Sequence, residues 1–67
     1  MNSFNLTPVV DLCPGAEVLT KALGPIVLRE VETENNLVTV LGHDPFTDLV
    51  FARAFRLDET VYARNLK

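Results

Sequence analysis

Residues 26–41 read Ile26-Val-Leu-Arg-Glu-Val-Glu-Thr33, then Glu34-Asn35-Asn36, then Leu37-Val-Thr-Val-Leu41. Both flanking runs are rich in β-branched residues, and the Asn pair between them tolerates the positive φ that tight turns demand. This pattern predicts a β-hairpin. Strict alternation leaves one puzzle within it, because Glu30 and Glu32 fall on the same face as Ile26 and Leu28. Val27, Arg29, Val31 and Thr33 then share the other face, and burial is ambiguous at the strand ends.

The flanking segments can be read in two ways. Residues 15–23 have the Ala and Leu content, the Glu17/Lys21 spacing and the Gly24-Pro25 stop of a helix packed on the hairpin. They also fit a strand over Ala16–Thr20 that follows the Pro14-Gly15 turn, with Thr20–Pro25 as a loop. Residues 42–48 read as a loop in which Gly42 and Asp44-Pro45 are turn residues. From Leu49 to Leu57 the alternation places Leu49, Phe51, Arg53, Phe55 and Leu57 on one strand face. A helix with Asp44 as cap and Pro45 at its first position is the alternative. Thr60–Leu66 has the β-propensity of a last short strand, a helix from Asp58 being the other reading.

The chain has 67 residues, 48% apolar and 22% charged, which excludes a multidomain protein and a disordered tail. A chain of this size buries only about 60% of its unfolded surface, so its core is thin and leaves little room for a catalytic cavity. One folded unit is expected, ordered over about 4–66 after a short frayed start. A lone cysteine, Cys13, rules out an intramolecular disulfide and gives self-association real weight as a source of stability. The N-terminal segment has no signal-peptide pattern and no apolar run approaches a membrane span, so a cytoplasmic protein without a membrane contact is expected.

Read as strands throughout, Pro14-Gly15 followed by Val18, then Gly24 with Ile26-Val27 and Val31, then Leu37–Val40, resembles the small SH3-like barrels of the KOW and Tudor type. The resemblance covers about residues 14–57. It implies an all-β, five-stranded SH3-like barrel that binds ligands without enzymatic chemistry, at the loops Thr20–Pro25 and Gly42–Asp48. The chain departs from the Tudor pattern in having no Trp and a single Tyr62, and from nucleic-acid-binding KOW domains in its acidity.

No residue pattern compels chemistry. His43-Asp44 is the one neighbouring pair that suggests a general base or a ligand, and a zinc site needs about four N or S ligands where the chain has one His and one Cys. Cys13 lacks any Cys-His or Cys-x-x-Cys spacing and reads as a small buried hydrophobe. The glycines do not cluster into a phosphate-cradling loop. No cofactor and no metal are expected, and no catalytic residue is assigned.

Net charge is −3, with residues 1–52 at −5 and residues 53–67 at +2. The favoured expectation is a non-enzymatic protein-protein interaction module, binding another protein or a copy of itself. Lys21, His43, Asp44, Phe46, Arg53, Arg56 and Arg64 are the candidate contact residues. Phe46 stands foremost, as an aromatic between turn residues, although it could instead fold back to cap the thin core. A nucleic-acid-binding barrel using the basic C-terminal strand is the second expectation, disfavoured by the acidity. An accessory subunit lending His43 to an enzyme interface is the third.

Overall fold

The computed structural model describes residues 3–65, which form one antiparallel sheet of six strands with no α-helix. They are β1 (Asn5–Pro8), β2 (Ala16–Thr20), β3 (Gly24–Glu34), β4 (Leu37–His43), β5 (Val50–Arg56) and β6 (Thr60–Asn65). In space they run β1-β6-β2-β3-β4-β5. The all-β class is as the sequence predicts. Its finer form needs correction: there are six strands rather than five, no strand having been expected over Asn5–Pro8, and the sheet is not closed into a barrel. The helical readings of 15–23, 49–57 and the segment from Asp58 are not realised, because all three stretches find ladder partners.

The β3–β4 hairpin turns at Asn35 (φ 52°) and Asn36 (φ 64°), with Glu34 paired to Leu37. Two positive φ values in a two-residue loop are the type I′ signature, whose twist matches that of the strands. The puzzle of the two glutamates is resolved by a bulge between Leu28 and Glu30. Arg29 is the extra residue, so the inward phase switches from Ile26 and Leu28 to Val31, while Glu30 and Glu32 turn to solvent.

The inner face collects Val18, Leu28, Val38, Val40, Phe55 and Ala63, with Phe51, Val31 and Val61 packed against them. A 3₁₀ turn at Val9–Asp11 adds Val9 and then Leu12 to this core. Gly42 is not the turn residue the sequence predicts. It lies within β4, and a Cβ there would sit 2.5 Å from the Val27 carbonyl oxygen and 2.8 Å from Ile26 Cγ2. Only glycine lets β3 approach β4 so closely. Cys13 is a further correction: it is exposed, outside the core, in the segment between the 3₁₀ turn and β2.

Candidate interaction surface

Asp44 follows β4 and organises the loop to β5. Its carboxylate accepts hydrogen bonds from the backbone N–H of Phe46 (2.8 Å) and Thr47 (3.3 Å). Its own N–H donates to the Leu49 carbonyl (2.9 Å), and its carbonyl accepts from Asp48 N–H (2.8 Å). The bond from Phe46 N–H favours the charged carboxylate and holds the Asp44 pKa below its ordinary value. Asp44 is buried, and its oxygens serve the loop.

This scaffold presents apolar residues to water. Phe46 is 89% exposed, so it does not fold back over the core, and Leu49 and Val50 are 54% and 73% exposed. Val50 opens β5, where it pairs with His43. His43 was expected in a solvent-facing loop; it is instead the last residue of β4, half-buried, with a buried Nδ1 that has no hydrogen-bond partner.

The remaining candidates fall in separate places. Lys21 sits in the β2–β3 turn, where Thr20 Oγ1 donates to the Gly24 carbonyl and accepts from Leu23 N–H. Together with Arg53, Phe51 and Phe55, it lines a groove on the inner side of β5. Arg53 lies over the Phe55 ring at 5.1 Å, an exposed cation at the rim of a buried aromatic. Arg56 is on the outer face of β5, 3.4 Å from Asp58 in an exposed pair. Arg64 meets Glu17 across the β2–β6 ladder (3.1 Å) and stacks on Phe4 (4.3 Å to the ring centroid). The described basic residues near the C-terminus, Arg53, Arg56 and Arg64, are thus spread over different strands and faces.

The backbone of β5 is what residue-type reasoning missed. The Asp44 N–H bond to the Leu49 carbonyl lies one position beyond the His43–Val50 pair and sets the phase of the β4–β5 ladder, so alternation directs the peptide groups of Phe51, Arg53 and Phe55 toward β4. Those of Val50, Ala52 and Ala54 point the other way. Arg56 also points outward, and its N–H and carbonyl are taken by Glu59 (2.7 and 3.1 Å). No described strand pairs with this outer side of β5. The period-2 alternation of small and large residues in Val50–Arg56 was the sequence signal for the strand; nothing in it signals an edge.

Among the described residues no three His, Cys, Asp or Glu side chains gather as a metal-binding group, and no helix is long and apolar enough to cross a membrane. No family model, curated protein or solved structure matches the chain.

Proposed function

We propose that this chain is a non-enzymatic protein-interaction module whose contact surface is the Asp44–Leu49 loop and the adjoining edge strand β5. The observation that carries this reading is Phe46, an aromatic side chain 89% exposed on a loop whose backbone is pinned by a buried carboxylate. An aromatic held out on a pre-ordered loop offers large contact area at little ordering cost, and such residues are the usual anchors of interfaces. Leu49 and Val50 extend the apolar patch onto the strand. The sequence resemblance of residues 14–57 to KOW and Tudor domains favours the same reading, since it implies contacts made by the loops of a small β-fold. The dispersal of Arg53, Arg56 and Arg64 leaves no continuous basic track for a nucleic acid among the described residues.

The test measures unfolding and partner capture on the same sample of Phe46→Ala. The expected result is a stability change below about 1 kcal/mol, as for an exposed residue, with capture of the cognate protein lost. Capture that survives the substitution, or a bound species that is nucleic acid and dissociates steeply with salt, would contradict the reading.

A further inference from the structure

We propose that the partner along β5 is a second copy of this chain, paired antiparallel about a two-fold axis at Ala52. This inference rests on the interaction reading and specifies it. The outward peptide groups of β5 are those of Val50, Ala52 and Ala54, at every second residue, as the hydrogen-bonded pairs of an antiparallel partner require. Centring the pair on Ala52 sets Ala52 against its own copy and Val50 against the second copy's Ala54. Small side chains meet on the outer face, where each Ala52 already neighbours Leu41.

The same register also pairs a cation with an aromatic ring. On the inner face Phe51 falls opposite the second copy's Arg53, a cation–π pairing made twice by symmetry. Two neighbouring registers are worse. Centring on Arg53 opposes two like charges directly, which destabilises a strand pair. Centring on Ala54 calls on the backbone groups of Arg56, which Glu59 already holds. A two-fold contact of this kind is self-limiting, because the opposite edge, β1, ends in Pro8 and offers little to a further strand.

Oxidative cross-linking in the Cys13→Ser background tests the register, since Ala52→Cys places its thiol opposite its own copy and Ala54→Cys does not. Cross-linking of Ala52→Cys at least about tenfold faster than Ala54→Cys is expected, as a disulfide tolerates Cα separations of only about 4.4–6.8 Å. Equal rates, or a faster Ala54→Cys, would overturn it. Sedimentation equilibrium at about 0.5 mM, a concentration suited to a small interface, forms the second arm. Wild type should dimerise, and Ala52→Pro, which deletes two symmetry-related N–H donors, should weaken the dimer about tenfold or more. If Ala52→Pro loses its β circular dichroism, the cross-linking pair alone decides. A wild type that stays monomeric while Phe46 still governs capture of a different protein overturns self-pairing and leaves the interaction reading standing; a monomer that captures nothing overturns both.

Discussion

The two edges of this sheet are built differently. β1 has four residues, Asn5–Pro8, and its Val9 N–H bond to the Glu59 carbonyl fixes the ladder so that Leu6 and Pro8 face outward. Proline has no N–H, so Leu6 is the only residue of that strand with a donor to offer another strand. β5 has seven residues, no proline, and three consecutive outward positions at Val50, Ala52 and Ala54. Edge strands are usually blunted by brevity, proline or charge. β1 has the first two, whereas β5 carries only charges, Arg53 on its inner face and Arg56 at its end. The proposed interaction surface lies on the accessible side, next to Phe46.

The largest expected effect comes from removing the support of β5. Gly42→Val would force atoms into the Val27 carbonyl and Ile26, and a loss of about 3 kcal/mol or outright unfolding is expected in a urea titration. Tolerance of valine there would mean that β3 and β4 are not so closely apposed, and β5 would lose its described platform.

Next in size is a pair that reads the direction of the β5 peptide groups. Phe51→Pro removes an N–H that faces β4 and should cost about 3 kcal/mol. Ala52→Pro removes one that faces away from β4 and should cost the monomer clearly less, as proline is tolerated on the free side of edge strands. Thermal melts of dilute samples compare the two, and equal losses would reverse the assignment of the free side.

A smaller effect concerns the loop that carries Phe46. The Asp44 pKa is depressed on folding, so between the unfolded and folded values the unfolded chain binds more protons. Its stabilisation is therefore complete above the ordinary value of 3.8 and is lost as pH falls through the lower folded value. Asp44→Asn should lower the melting temperature near neutral pH and flatten its decline in acid. An acid decline as steep as that of wild type would show that the carboxylate does not hold the loop.

Much of this architecture was legible in the residues. The hairpin followed from two β-branched runs around Asn35-Asn36, whose φ values are those the turn chemistry demands. Phe51 and Phe55 on one face of β5, with Arg53 at the rim, followed from alternation. The β3 bulge was not legible, because a single inserted residue changes no composition and shows only as a conflict between two phases. β1 was missed because four residues ending in proline carry little strand signal. Gly42 was misread because a glycine beside Asp44-Pro45 looks like a turn, and close strand approach leaves the same mark. Cys13 was placed in the core on the average behaviour of cysteine, which does not bind a residue lying between two turns. Among the surface candidates, the loop around Phe46 allowed both an exposed and a core-capping reading, of which the structure shows the first, while the pairing of Arg64 with Glu17 depended on a contact 47 residues apart in sequence.

Amide hydrogen exchange along β5, followed by NMR at two protein concentrations, tests most directly whether this edge is open and self-pairing. In dilute solution the amides of Phe51, Arg53 and Phe55 should be protected and those of Val50, Ala52 and Ala54 should exchange fast. At high concentration the second set should become protected while the first is unchanged. Uniform protection of all six in dilute solution, or fast exchange of Ala52 and Ala54 that no concentration slows, would contradict it.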